Sequence, residues 1–124
     1  MSAPEPVVDM GPYRAVDRER RAAREAALAE RRERGWAFAR RAAEVLRTEF
    51  GATRVCAFGS LVGPAAFHDR SDVDLAVWGL TSSEYWRALA ALEGLDPEVE
   101  LDLVRVEAAR PALVETIEAE GEDL

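Results

Sequence analysis

The most constraining feature of this chain is a Gly-Ser pair that ends one apolar segment and precedes an Asp-x-Asp sequence at the head of another. Gly59 and Ser60 follow the apolar segment Arg54–Phe58, and eleven residues separate them from Asp72 and Asp74. Two short apolar segments bounded by turn residues predict β-strands. Because residues i and i+2 of a strand point to the same face, both carboxylates are expected to aim at one volume beside the turn.

The residue types in this arrangement indicate phosphate and metal chemistry. A turn such as Gly59-Ser60 can offer backbone N–H groups to a phosphate. Two adjacent carboxylates repel each other unless a cation joins them. Mg²⁺ prefers one or two carboxylates plus substrate phosphates, and Asp72 and Asp74 have the matching spacing. The sequence therefore predicts a site that binds a nucleoside triphosphate with Mg²⁺, or with Mn²⁺ in its place.

A third acidic candidate lies on the last predicted strand, Val99 to Val106. On such a strand Glu98, Glu100 and Asp102 would share one face. If this strand lies beside the Asp-x-Asp strand, one of the three carboxylates can reach the same metal site. Three carboxylates allow one ion to hold the triphosphate and a second to activate a hydroxyl. The alternative is that all three acids form a solvated face of the sheet.

The remaining pattern predicts alternating helices and strands. Residues 1–12 are rich in proline and are predicted to be a flexible tail. An Arg/Ala/Glu-rich helix is expected to follow and to break at Gly35. Further elements are predicted from apolar spacing, capping residues, proline and glycine: a core-facing helix Trp36 to Phe50, a strand Asp72 to Trp78, a helix opened by the capping box Thr81 to Glu84 and ending at Glu93, and a helix from Pro111 to Glu120.

Charge is unevenly distributed along the chain, whose net charge is −8. Residues 1–68 hold 12 arginines against 9 acidic residues, whereas residues 69–124 hold 4 against 15. An acidic C-terminal half argues against a nucleic-acid partner, because phosphate neutralisation dominates such affinity. The segment Arg14 to Arg41 has ten arginines and five acidic residues. It is interpreted as a solvated helix with opposite charges, the alternative being a nucleic-acid patch.

Length and composition limit the class of protein. A chain of 124 residues predicts one domain with a modest core. Cys56, the single cysteine, is expected to be a small core residue, and His68 in the loop is expected to be a bystander. The first residues lack the pattern of a signal peptide, and no uncharged run is long enough to span a membrane. A reducing cytoplasm is therefore the predicted location.

The ordered set Phe58-Gly59-Ser60, Ser71-Asp72-Val73-Asp74-Leu75 and Asp102-Leu103-Val104 resembles the minimal nucleotidyltransferases of the DNA polymerase beta superfamily. The resemblance implies an α+β fold: a small mixed sheet of three to four strands flanked by helices, here preceded by a long N-terminal helix. It also implies that Gly59 and Ser60 bind the nucleotide. Asp72, Asp74 and Asp102 would be the catalytic, Mg²⁺-binding carboxylates, with Asp102 preferred over Glu100 because it precedes Leu-Val.

The same resemblance implies a partner. Minimal nucleotidyltransferases are commonly antitoxins paired with a helical HEPN-type toxin, and some transfer AMP from ATP to a tyrosine of that toxin. With only a short segment after the third strand, the acceptor is expected to come from another chain. Leu61 stands where members of the family often carry an arginine after the Gly-Ser pair. Two alternatives therefore stay open: a catalytically weak module that neutralises a partner by binding it, and a nucleotidyltransferase acting on a small molecule.

The Arg/Ala/Glu-rich helix, residues 13–34, is predicted to be separate from a nucleotidyltransferase domain at residues 35–124. It has few large apolar residues, so it buries little surface for the cost of ordering it. Its alanines at helical spacing (Ala22, Ala23, Ala26 and Ala29) allow close approach of another helix. We therefore expect this helix to contact a second copy of the chain or a partner protein. The alternative is that it covers the core of its own chain.

Overall fold

A computed structural model of the protein describes residues 11–63 and 73–124. Its first element is a helix of 40 residues, α1 (Gly11–Phe50). The C-terminal part of α1 packs on the core through a row of buried residues, which are Phe38, Ala39, Ala42, Ala43 and Leu46. The prediction of a core-facing helix from Trp36 to Phe50 is therefore confirmed.

The predicted break at Gly35 is wrong, because α1 runs through this residue without interruption. A glycine inside a helix costs about 1 kcal/mol relative to alanine, which packing can outweigh. Gly35 is buried, and the preceding Arg34 pairs with Asp96 of a distant turn. Of the predicted tail, residues 1–10 lie outside the described residues, while Gly11 and Pro12 belong to α1.

Four strands form one mixed sheet: β1 (Arg54–Phe58), β2 (Val73–Trp78), β3 (Leu101–Arg105) and β4 (Glu122–Asp123). Their order across the sheet is β3-β2-β1-β4. The β1–β2 and β1–β4 pairs are antiparallel, whereas β2 and β3 are parallel. The mixed sheet flanked by helices confirms the predicted α+β fold class.

The strand predictions hold with two changes at their ends. β1 has the predicted bounds, and β2 is seen from Val73, because Asp72 lies outside the described residues. β3 is shorter than predicted, beginning at Leu101 and ending at Arg105. β4 was not predicted from the pattern, since two residues carry no periodicity. It is held by its pairing to β1 and by the Leu124 N–H, which donates to the Val55 carbonyl over 3.0 Å.

Helices α2 (Ser82–Glu93) and α3 (Pro111–Glu120) match the predicted elements. The capping box before α2 is confirmed: the Thr81 hydroxyl accepts the Glu84 N–H, and the Glu84 carboxylate accepts the Thr81 N–H. This reciprocal pair satisfies two backbone donors at the start of the helix. Pro111 occupies the first turn of α3, where its missing N–H has no cost.

The sheet is covered differently on its two faces. The larger core joins α1 and α2 to the strand residues of one face, which include Val55, Ala57, Val73, Leu75, Val77 and Leu103. The smaller core joins α3 to the alternate residues, which include Cys56, Phe58, Ala76, Trp78 and Val104. Cys56 is fully buried there, as predicted for a core residue. None of the helices within residues 11–63 and 73–124 is long and apolar enough to cross a membrane.

Candidate active site

The Gly-Ser turn follows β1 directly and is a short 3-10 turn, Gly59–Leu61. The N–H groups of Val62 and Gly63 both donate to the Gly59 carbonyl, over 3.2 and 3.0 Å. The Leu61 side chain is fully buried and fixes the turn to the core. Ser60, which is half-buried, therefore occupies a turn whose backbone is held at both ends.

Gly59 is required at the head of this turn for two reasons. Its φ angle is +72°, a backbone conformation that costs other residues about 1–2 kcal/mol. A Cβ atom at this position would also overlap Oδ2 of Asp74. The Asp74 carboxylate thus lies against the backbone of the turn, and only glycine leaves room for it.

Asp74 is brought to the turn by strand pairing. It lies on β2 opposite Phe58 in the antiparallel β1–β2 register, one residue before Gly59. Because side chains alternate along a strand, Asp74 is on the face of Ala76, away from Val73 and Leu75 of the larger core. Asp74 is half-buried, as expected for a charged group at the margin of the sheet.

Asp102 lies beside Asp74. The parallel β2–β3 register pairs the two residues directly, and neighbouring strands are about 4.8 Å apart. Asp102 shares its face with Val104 of the smaller core, so both carboxylates are on the same side of the sheet. The Asp102 side chain is exposed. The structure therefore brings Asp74 and Asp102 together with the turn that holds Gly59 and Ser60, so four of the five residues predicted for the site lie together.

The other two acids of the third strand are placed elsewhere. Glu98 lies before β3 in a turn, and its carboxylate accepts a hydrogen bond from Arg34 over 2.6 Å. Glu100 uses its backbone carbonyl to accept the Val73 N–H over 2.8 Å. The prediction that all three acids share one strand face is wrong, because β3 starts after Glu98 and Glu100. Of the two open interpretations, the geometry favours a single strand carboxylate, Asp102, at the site.

Asp72 and His68 lie outside the described residues, so their roles stay predictions. Within the part of the chain that the structure describes, no group of three or more His, Cys, Asp or Glu side chains could hold a metal ion. The described pair, Asp74 and Asp102, fits a hard divalent cation in kind. Both ligands are carboxylate oxygens, the ligands that Mg²⁺ takes together with substrate phosphates. A third carboxylate at Asp72 would complete the predicted set.

Two residues near the site were not found from the sequence. The Tyr85 hydroxyl on α2 donates to the Leu103 carbonyl over 2.6 Å and ties α2 to the strand that carries Asp102. Burial, together with the charge of Asp102, raises the pKa of Tyr85. Arg32 on α1 donates to the Leu61 and Gly63 carbonyls of the Gly-Ser turn. A helix with arginines on every side gives no sequence signal for which of them reaches the site.

The chain is similar in sequence to a known protein family. The family described as polymerase beta, nucleotidyltransferase matches residues 41–124. The chain belongs to this nucleotidyltransferase family. No curated protein is similar enough to the chain to count as a relative.

Solved structures agree with this assignment. A minimal nucleotidyltransferase is 34% identical, with a TM-score of 0.52, and the match covers 81% of this chain and 95% of that one. The toxin–antitoxin pair MntA–HepT is 20% identical, with a TM-score of 0.54, over 71% of this chain and 69% of the other. A complex of a tri-AMPylated HEPN toxin of Shewanella oneidensis with an MNT antitoxin is also 20% identical, with a TM-score of 0.54. This match covers 72% of this chain and 70% of the other. At 20% identity the last two show a shared fold, so the predicted polymerase beta-like fold is confirmed.

Proposed function

We propose that this nucleotidyltransferase transfers a nucleoside monophosphate, AMP from ATP, to a hydroxyl group of a partner protein. The observation that carries the proposal is the contact between the Gly59 backbone and the Asp74 carboxylate, with Asp102 at the paired position of the next strand. A turn that can bind phosphate thus lies directly against a carboxylate pair. This arrangement supports the binding of a metal-bound triphosphate.

Each residue has a proposed role in that transfer. Gly59 and Ser60 bind the triphosphate through backbone N–H groups and the Ser60 hydroxyl. Asp72 and Asp74, together with Asp102, would hold Mg²⁺, which would neutralise phosphate charge and lower the pKa of a coordinated hydroxyl. Asp102, the exposed member of the pair, faces the side from which an acceptor can approach. It orients the acceptor hydroxyl and takes up its proton.

The bond changes in this reaction balance. The acceptor oxygen forms a bond to the α-phosphorus, the bond from that phosphorus to the β-phosphate oxygen breaks, and pyrophosphate leaves with the electron pair. The hydroxyl proton passes to Asp102. Such transfers depend mainly on positioning and charge stabilisation rather than covalent catalysis by the protein. Removing Asp102 should therefore lower both the transfer rate and the affinity for metal-bound nucleotide.

We propose a HEPN-type protein as the partner that supplies the acceptor, with the chain acting as its antitoxin. The support is that two of the structural neighbours are toxin–antitoxin complexes, one of which is an AMPylated HEPN toxin with an MNT antitoxin. The acidic half of the chain, with 15 acidic residues against 4 arginines after residue 68, disfavours a nucleic-acid end as the acceptor.

The decisive experiment uses ATP labelled at the α-phosphate, Mg²⁺ and the product of the neighbouring gene. Label on the partner, with a mass increase of one AMP, is the expected result. Asp74→Asn should abolish it, whereas Glu100→Gln, a matched change on an acid outside the site, should retain it. Complex formation without label would contradict the transfer and favour a module that acts by binding. Label on a small molecule without the partner would contradict a protein acceptor.

A further inference from the structure

We propose that Arg32 is a positioning residue for the nucleotide-binding turn. The inference deepens the proposed function, on which its nucleotide-binding part rests. Arg32 lies on α1, upstream of the segment 41–124 that matches the nucleotidyltransferase family. The long helix would then not only cover the core but also set the geometry at which the Gly-Ser turn meets the triphosphate.

The contacts that carry the inference are two hydrogen bonds from one nitrogen. Nη2 of Arg32 donates to the Leu61 carbonyl over 2.9 Å and to the Gly63 carbonyl over 3.3 Å. Both bonds are partly buried and join residues 29 and 31 positions apart in the chain. Hydrogen bonds from a charged donor are stronger than neutral ones, and partial exclusion of water strengthens them further.

These carbonyls are where the turn needs an external donor. The last carbonyl groups of any helical turn lack partners within the turn. At the start of the turn, the Gly59 carbonyl already accepts hydrogen bonds from the Val62 and Gly63 N–H groups. Arg32 thus holds the last carbonyls of the turn, whereas Gly59 at its first position lies against Asp74.

The neighbouring Arg34 contacts a different part of the protein, which offers a matched control. Its guanidinium donates to both carboxylate oxygens of Asp96 and to Glu98, in the turn before β3. Arg32 and Arg34 therefore both attach α1 to the rest of the protein. Of these two arginines, Arg32 is the one that reaches the nucleotide-binding turn. Substituting each in turn therefore separates the attachment of α1 to the protein from the positioning of that turn.

The test uses the full chain in three forms: Arg32→Met, Arg32→Lys and Arg34→Met. Methionine keeps the apolar stem and removes the donors, whereas lysine retains an ammonium with three donors. Two quantities are measured. The first is hydrogen exchange at the Val62 and Gly63 amides in protein without nucleotide, with amides of β1 and β2 as the internal reference. The second is the Kd of a non-hydrolysable ATP analogue with Mg²⁺ by calorimetry.

Arg32→Met should speed exchange at the two turn amides about tenfold relative to the strand amides and raise the Kd about tenfold. Arg32→Lys should recover most of both effects, and Arg34→Met should change neither by more than about twofold. Equal losses in Arg32→Met and Arg34→Met, or unchanged exchange in Arg32→Met, would overturn the inference. A natural chain that binds no triphosphate would overturn the proposed function and the nucleotide part of the inference. The exchange measurement would then decide separately whether Arg32 holds the turn.

Discussion

Asp74 and Asp102 occupy paired positions on two parallel strands, and both side chains lie on the sheet face that α3 covers elsewhere. The pairing places two like charges side by side at the edge of the core. Without a cation, such a pair is electrostatically unfavourable. In the proposed function this pair binds a cation and a triphosphate, so it should respond in opposite ways to charge removal with and without these ligands.

Asp102→Asn is therefore expected to leave the metal-free protein equally or slightly more stable, because one of two neighbouring charges is removed. It should also lose most of the stabilisation that Mg²⁺ and ATP give. For the natural chain that gain is about 2.7 kcal/mol when free ligand is at roughly 100 times its Kd. Thermal unfolding with and without ligand measures both effects. Glu100→Gln serves as the control, and a full ligand gain in Asp102→Asn would contradict the assignment.

Gly59→Ala is expected to abolish triphosphate binding, because the new methyl group would overlap the Asp74 carboxylate as well as strain the backbone. Gly51→Ala is a matched control. Gly51 has the same φ of +72°, but a Cβ there meets nothing within 4 Å. Both changes should cost about 1–2 kcal/mol of folding free energy for the left-handed conformation. Only Gly59→Ala should affect the Kd of an ATP analogue.

Calorimetric titration and chemical denaturation of the two glycine variants separate these effects. Equal nucleotide affinity in Gly59→Ala and Gly51→Ala would show that the triphosphate does not bind at this turn.

Ser60→Ala is a milder change at the same turn. It should weaken binding by about 1–2 kcal/mol, because one hydrogen bond to a charged phosphate is lost.

Much of the fold could be predicted from local sequence, because several elements have strong end signals. The capping box at Thr81 and the proline at Pro111 fix helix starts that the structure reproduces. Gly35 misled the prediction, because helix propensity is local while the packing that keeps α1 continuous depends on distant groups. β4 could not be predicted for a similar reason: its pairing with β1 is a tertiary contact of two residues.

The placement of the candidate site residues was predictable where motif and strand geometry coincide, and not beyond. The sequence marks Gly59 by its turn, and it marks Asp74 and Asp102 as acids on apolar strands. Alternation alone could not choose among Glu98, Glu100 and Asp102, because the choice depends on where β3 begins. Arg32 was not predictable, since its role depends on which face of a long charged helix meets the turn.

The ion pair between Arg34 and Asp96 predicts that the free energy of unfolding falls at low pH. The hydrogen bond from Arg34, followed by the bond from the Glu98 N–H, lowers the pKa of Asp96 from its ordinary value of 3.8. Since the folded-state pKa is depressed, this group contributes stability above about pH 3.8. The contribution is lost as the pH falls through the lower, folded-state value. Arg41 and Glu98 are the other charged groups acting on this pair.

Arg34→Met should therefore lower the melting temperature at neutral pH, and the difference from the natural chain should narrow below about pH 3.8. Melting curves from about pH 2 to about pH 7 measure this difference. Arg47→Met, a change at an exposed arginine of the same helix, should show no such narrowing. A difference that stays constant down to the lowest pH would contradict a contribution from ionised Asp96.

The final prediction concerns the N-terminal part of α1. From Gly11 to Glu30 only Ala15 and Leu28 are even half-buried, and Tyr13 and Val16 are 62% and 43% exposed. Contacts with the rest of the protein become specific at Arg32 and Arg34. We therefore place the separable part upstream of these two arginines rather than at the predicted boundary, residue 34. This exposed segment is expected to bind a second copy of the chain or a partner protein.

Removing residues 1–24 should leave a folded chain that still binds an ATP analogue, because Arg32, Arg34 and the buried part of α1 remain. Self-association, or capture of a HEPN-type partner, should be lost. Light scattering and co-purification measure these two properties. Glutamate at Ala22 and Ala26 in the full-length chain should have the same effect, since it blocks close helix approach while keeping residues that favour helix. Two results together would contradict this prediction. The shortened chain would unfold, and the full-length chain would be monomeric and would bind its partner despite both glutamates. The segment would then stabilise the fold of its own chain.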